Sequence, residues 1–420
     1  MREAVDFLWK RIGCLATLDG GAIPRRGSEA DDLGTIEDGA LAVRDGRIVA
    51  AGTTAEIESR FAAPSERTFE LPGRTVLPGF VDPHTHVLFA GSREREFEMR
   101  LAGKSYMEIA AAGGGIASSV RAFREASDAD LLAQSRARLD AMLAMGTTTI
   151  EAKSGYGLSV EQEIRACRLI DRLDDEHPVD LVGTFLGAHD IPPEFRSDRR
   201  AYIRRIVEEM IPEVARSTRA RFCDVFCEKG VYTPEEAREI LEAGRAAGLE
   251  PRLHADEFAP SGAAALAGSL RAFSADHLME IDEEGLAAMR DGGVIAILLP
   301  ATSFSMGKRR YAPAARMREL GIPIALATDC NPGSSMTTSL PLVITLAVLE
   351  MKMTVGAAIT AVTVNAAASL GLESEIGRIA PGMRADLQVL RASTPAAIVY
   401  RLGGLRPERV VKAGKDMAAA

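Results

Sequence analysis

The stretch Val76-Leu77-Pro78-Gly79-Phe80-Val81-Asp82-Pro83-His84-Thr85-His86 runs from a mostly apolar, extended segment into two histidines spaced i, i+2. Side chains repeat every second residue along a strand, so this spacing turns both imidazoles to the same side. Paired neutral imidazoles suit zinc or ferrous iron. Two histidines so spaced can equally line a polar surface, and the choice rests on what the rest of the chain carries.

Downstream, to about Asn365, short apolar runs alternate with helical segments. Thr147 to Ile150 precedes Val160 to Leu173, Leu181 to Leu186 precedes Ala201 to Ala215, and Cys223 to Phe226 precedes Pro234 to Ala247. Arg252 to His254, Phe273 to Ala275, Val294 to Leu298 and Ile324 to Ala327 are further strand candidates. Strand-then-helix units imply parallel strands joined by helices. About eight of them predict an α/β fold, a closed (β/α)8 barrel of the TIM type, with an open doubly wound sheet as the alternative. The chemistry-bearing residues favour the barrel. His84 and His86, Lys153 and Tyr156, His189, His254, His277 and Asp329 each follow a separate strand run. In a barrel those strand ends converge on one mouth. Of the six histidines only His177 lies elsewhere.

His254 ends Pro251-Arg252-Leu253-His254, with Asp256 and Glu257 close behind. Asp329 ends the apolar run Ile324-Ala325-Leu326-Ala327-Thr328, where an unpartnered carboxylate is costly to bury. A cation removes that cost; the other reading is a helix cap before a segment starting near Thr337. The expected centre is one divalent metal, zinc or iron, held by His84, His86, His254 and Asp329. Alternation turns Cys330 away from it. The five cysteines form no Cys-x-x-Cys pair, and Cys223 and Cys227, on one strand face, read as buried thiols.

Both chain ends read as β-structure. Ala40 to Val43 and Ile48 to Ala51 flank Asp45-Gly46-Arg47, a hairpin signal, and the other end carries a Pro381-Gly382 turn before Leu387 to Leu390. The expected organisation is a small β-sandwich from residues 1–75 and 366–420 around a barrel at 76–365. With 47% hydrophobic and 26% charged residues the chain is of ordinary globular composition. A net charge of -9 with no long Lys/Arg cluster argues against nucleic acid and for a small-molecule partner. Arg2, Glu3 and Asp6 break the pattern of a secretory signal, and apolar runs such as Val294 to Leu299 fall short of a membrane span. The expected compartment is the cytoplasm.

Val81-Asp82-Pro83-His84-Thr85-His86, followed by His254, His277 and Asp329, resembles the amidohydrolase superfamily, whose barrels carry these residues at strands one, five, six and eight. Asp45-Gly46-Arg47-Ile48-Val49 and Pro381-Gly382-Met383-Arg384-Ala385-Asp386-Leu387 are similar to its small β-sandwich. Five further motifs resemble the members that open the ring of 4-imidazolone-5-propanoate to N-formimidoyl-L-glutamate in histidine degradation. They are His84 to Arg93, Ala112-Gly113-Gly114-Gly115-Ile116, Glu151 to Leu158, His254-Ala255-Asp256-Glu257 and Asp329 to Ser335. The resemblance implies metal-dependent hydrolysis of a cyclic amide, with Glu257 carrying a proton to the leaving nitrogen and His277 stabilising the oxyanion. It implies substrate contacts at Arg93, Tyr156, His189, Glu257, Asn331, Gly333 and Ser334, with Arg93 on the propionate, and a homodimer. The turn at Gly333 and Ser334 also offers backbone N–H groups to an anion, and the Gly113 to Gly115 loop shapes the site. A dinuclear cyclic amidase with carboxylated Lys153 is disfavoured, because His189 reads as the end of strand four and Lys153 as one strand earlier. A mononuclear nucleobase deaminase shares the ligands and is the alternative activity. A noncatalytic relative would have lost ligands, and none is lost.

Overall fold

The structure, a computed structural model, describes residues 2–104, 108 and 113–417. Eight strands follow one another around a sheet: β1 Phe80–Asp82, β2 Thr147–Lys153, β3 Asp180–Ala188, β4 Phe222–Cys227, β5 Glu250–Ala255, β6 Ser274–His277, β7 Ile295–Leu298 and β8 Ile324–Leu326. Each pairs in parallel with the next. Their residues are almost all buried, because helices cover the outside while side chains fill the inside. The seam between β1 and β8 closes at the mouth. There His86 N–H donates to the Cys330 carbonyl at 3.0 Å, Asp329 N–H to that of His84 at 3.1 Å, and Thr328 Oγ1 to the Asp82 carboxylate at 2.6 Å. Lower down, Val81 N–H donates to Val362 O at 2.8 Å and Asn365 Nδ2 to Ile324 O at 2.9 Å, so a helical segment fills the gap. The barrel predicted from the strand pattern is therefore closed, and the open sheet is excluded.

Two expectations need correction. The run Val76 to Val81 is two strands: Thr75–Pro78 belongs to the terminal β-sheet and only Phe80–Asp82 enters the barrel. Gly79 makes the crossing, with its N–H donating to Asp386 O at 2.8 Å and a Cβ there running into the Thr148 side chain. The strand count also shifts. The described residues between β1 and β2 are helical where regular, at Glu94–Leu101, Ile116–Glu125 and Asp128–Ala144. Lys153 therefore ends β2 and His189 follows β3, whereas the end of β4 carries Cys227 and Glu228.

The helices follow from caps and periodicity. Ser159 accepts from Gln162 N–H to start Val160–Glu176, whose Ile164, Cys167, Ile170 and Leu173 form its buried stripe. Thr233 and Glu236 make a reciprocal capping box for Pro234–Ala246. Both chain ends share one eight-stranded sheet, in which Thr75–Pro78 lies between Phe7–Ala16 and Leu387–Leu390. Asp45 and Gly46, at φ 52° and 72°, turn the hairpin between Thr35–Arg44 and Arg47–Thr53 as a two-residue turn of primed type requires. Trp9, Ile12, Leu41, Val76, Leu387 and Val411 fill this sheet's core.

Candidate metal centre and active site

His84 and His86 lie just beyond β1, His254 on β5 and Asp329 just beyond β8, so barrel closure alone brings them together. His84 Nε2 and His86 Nε2 stand 3.6 and 3.7 Å from Asp329 Oδ1, and His86 Nε2 stands 3.3 Å from His254 Nε2. Ligands each about 2.1 Å from a shared ion are separated by roughly 3–3.6 Å, so the spacing fits one cation among them. The donor chemistry agrees. Burial holds His84 and His86 well below the usual histidine range, which leaves them as neutral imidazoles, and His84 Nε2 is buried with no hydrogen-bond partner. His277, at the end of β6, also brings a ring nitrogen within 4.8 Å of those of His84 and His254.

Beneath the imidazoles lies a layer that the sequence reading missed. His84 Nδ1 donates to Asp276 Oδ2 at 2.6 Å, and His254 Nδ1 lies 3.1 Å from Asp224 Oδ2. The hydrogen bond from Nδ1 to a carboxylate fixes His84 in the tautomer that leaves Nε2 free to ligate, and the Asp224 carboxylate stands at the corresponding place beside His254. Asp276 serves His84 and not its sequence neighbour His277, which leaves the strand at φ 76° and is turned into the mouth. Asp329 is likewise no helix cap: Ser339 caps Leu340–Leu349, and Thr302 Oγ1 donates to Asp329 Oδ2 at 2.6 Å. Burial pushes Asp329 up to about 6. Lys153 is fully buried and pairs with Glu151 at 2.7 Å and Asp224 at 2.8 Å. Burial opposes its charge, yet Asp224 and Glu151 hold it above the usual lysine range, which disfavours the neutral amine that carboxylation needs.

Glu257 sits in the mouth with Oε2 3.7 Å from His277 Nε2. Its backbone is pinned by Glu228, whose Oε2 accepts from Glu257 N–H and Phe258 N–H at 2.9 Å each. Burial, then the charge of Asp329, raises the Glu257 carboxyl well above its ordinary range, whereas burial and the neighbouring His254 hold His277 well below its own. One group keeps its proton and the other stays neutral.

These residues open onto a cavity of about 850 Å³ also lined by Arg93, Gly115, Tyr156, His189, Asn331, Gly333 and Ser334. Arg93 pairs with Glu96 at 2.7 Å, and Glu96 also accepts from Gly115 N–H at 3.0 Å, which ties the glycine loop to the arginine. Ala112 of that loop lies outside the described residues. His189 Nδ1 must donate to Gly155 O, 2.9 Å away, leaving Nε2 as an acceptor; burial lowers its pKa to about 3. Its ring stacks on His86 at 5.0 Å and meets Tyr156 edge-on at 5.4 Å. Burial lifts the Tyr156 hydroxyl well above the usual phenol range, so it remains a donor. The turn after Asp329 differs from expectation. Asn331 Oδ1 accepts from both Gly333 N–H and Ser334 N–H at 2.8 Å, so these donors are engaged inside the turn and not free for an anion. Cys330 points away into a core with Val87 and Phe89.

Residues 75–417 match the amidohydrolase family, and residues 39–63 match the imidazolonepropionase-like composite domain of bacteria. The chain is 49% identical over 409 residues to an imidazolonepropionase of Geobacillus kaustophilus, covering 97% of this chain and 96% of the relative. A second, from Geobacillus thermodenitrificans, is 50% identical over the same shares. The chain belongs to the imidazolonepropionase family. Among solved structures, a 5-methylcytosine deaminase from Klebsiella pneumoniae superposes with a TM-score of 0.73 over 98% of each chain at 15% identity. An adenosine deaminase from Xanthomonas campestris with bound zinc does so at 0.71, covering 99% of this chain and 93% of that one at 18% identity. Both share the barrel with its added β-domain. The family is metal-dependent, and no helix among the described residues is long and apolar enough to cross a membrane.

Proposed function

We propose that this protein hydrolyses the cyclic amide of 4-imidazolone-5-propanoate to N-formimidoyl-L-glutamate, using one divalent ion, zinc or iron, held by His84, His86, His254 and Asp329. The convergence of those four side chains beside Glu257 and His277, with Arg93 across the same cavity, carries the reading. A bound ion of this kind supplies a nucleophile from water at neutral pH and polarises the carbonyl.

The protein's own residues supply the rest. Arg93 engages the propionate with charge-assisted hydrogen bonds. His189 Nε2 accepts from a ring N–H and Tyr156 donates to the ring's polar edge, which fixes the carbonyl over the centre. As hydroxide, formed when water gives one proton to solvent, adds to the carbonyl carbon, the carbonyl oxygen gains charge, and neutral His277 donates an N–H to it. The ring C–N bond then breaks, Glu257 delivers its proton to the departing nitrogen, and the new carboxylic acid gives up its own proton, which restores Glu257. The deciding experiment follows loss of freshly made 4-imidazolone-5-propanoate by the metal-loaded protein before and after chelation. Turnover that disappears with the metal and returns on adding zinc or ferrous iron is the expected result. No turnover by fully loaded protein, or ammonia release from a nucleobase instead, would overturn the assignment.

Arg93 gives a separate prediction. Arg93→Met removes one charge-assisted partner of the propionate, worth about 2 kcal/mol, so kcat/KM falls roughly 30-fold. The loss lies mainly in KM, because the propionate is bound equally in ground and transition states. An unchanged KM in steady-state kinetics would show that the propionate lies elsewhere.

A further inference from the structure

Lys153 is fully buried below the metal centre and touches neither the cavity nor the four proposed ligands. Its Nζ lies 2.8 Å from Asp224 Oδ2 and 3.8 Å from Asp276 Oδ2. Those same two oxygen atoms face the Nδ1 atoms of His254, at 3.1 Å, and His84, at 2.6 Å. One ammonium group therefore sits between two carboxylate–histidine pairs that reach the centre from β5 and from beyond β1. Its third contact, Glu151 at 2.7 Å, holds the backbone from the other side: Glu151 Oε2 accepts from the N–H of Thr85, the residue between His84 and His86, at 3.1 Å. Arg252 is the other buried cation here, but it reaches only Asp276, at 3.7 Å, and spends Nη2 on Pro83 O at 2.7 Å.

We propose that Lys153 is a positioning residue for the metal centre, a single cation that locks the Asp276–His84 and Asp224–His254 pairs in register so that their Nε2 atoms converge on one ion. Asp224 Oδ1 also accepts from His254 N–H at 3.2 Å and Arg252 stands 3.7 Å from Asp276, so without Lys153 each carboxylate keeps one tether, but the two repel one another and lose the cation that they share. A flexible neutral side chain in place of Lys153 leaves the first coordination layer intact in composition and loose in geometry. Outer partners of this kind typically contribute about 10- to 100-fold in metal affinity. The inference rests on the metal site proposed above.

The test measures zinc affinity by competition with a chromophoric chelator, together with the visible spectrum of the cobalt(II)-substituted protein, for the parent, for Lys153→Met and for Lys153→Met combined with Glu151→Gln. The double variant removes one positive and one negative charge together and keeps an acceptor for Thr85 N–H, so it restores the charge balance without restoring the lock. Thermal stability close to the parent's, a zinc Kd still raised about 10- to 100-fold and shifted cobalt bands are expected for it. Parent-like zinc affinity and cobalt bands in the double variant would mean that Lys153 merely neutralises Glu151, and would overturn the proposal whatever the single variant does. Failure of the parent itself to bind zinc or cobalt would instead overturn the metal site.

Discussion

Asp329→Asn will abolish turnover and yet raise the melting temperature of the metal-free protein at pH 7.5. The loss follows from the site: asparagine keeps the shape and an acceptor for Thr302 but removes the one anionic ligand facing His84 and His86. Ion-assisted charge stabilisation is worth several kcal/mol, so a fall of about 10³-fold or more in kcat/KM is expected. The gain in stability has a definite sign. Burial lifts Asp329 to about 6 from an ordinary value of 3.8, so its folded-state pKa exceeds that of the unfolded chain. A group raised in this way favours the folded state while protonated, below about pH 4, and that contribution is lost as pH rises through about 6. Above that, the metal-free parent carries a buried carboxylate that costs about 3 kcal/mol, whereas asparagine has no proton to lose. Melting curves with chelator should coincide near pH 4 and separate by a few degrees, roughly, at pH 7.5. With zinc present the order should reverse, because only the parent gains binding energy. A parent that stays the more stable form in chelator at pH 7.5 would show that Asp329 is satisfied without a cation.

This trade also explains which parts of the site could be read from the chain. An acid or histidine at the end of an apolar run stands out, because the run supplies the burial and the end supplies the mouth. His254 and Asp329 are legible for that reason. Asp224 and Asp276 obey the same energetics inside their strands, but their partners are distant: Asp276 meets His84 across 192 positions of sequence. Only the closed barrel brings those two strand interiors together. The crossing at Gly79 was hidden similarly, since the extended runs on either side serve two different sheets. The turn after Asp329 is different. Asn331 binding the N–H groups two and three residues ahead is a local Asx turn, so the sequence contained that signal, and reading the same N–H groups as free donors overlooked it.

Glu257→Gln tests the proton step with the least disturbance elsewhere. Glutamine occupies the same volume, keeps an N–H donor toward the cavity, and leaves the backbone N–H bonds to Glu228 in place. It cannot transfer a proton. In the parent, the apolar surroundings and the nearby Asp329 keep the carboxyl protonated well above the ordinary glutamate range, which makes it an acid able to give up its proton at neutral pH. Of the other donors lining the cavity, burial holds Tyr156 as a phenol too weakly acidic to serve, and His277, which burial keeps neutral, has its N–H committed to the oxyanion in this mechanism. Removing the acid should therefore lower kcat by about 10²- to 10⁴-fold, with zinc content unchanged and KM within a few-fold of the parent. Glu257→Asp retains an acid but withdraws it by one methylene, so it should fall between the two, since proton transfer is sensitive to reach. If the glutamine variant kept kcat within a factor of ten at full metal occupancy, the proton would have to reach the nitrogen by way of solvent, and Glu257 would be left with orienting the substrate. The two roles separate cleanly, because lost orientation raises KM whereas a lost acid lowers kcat alone.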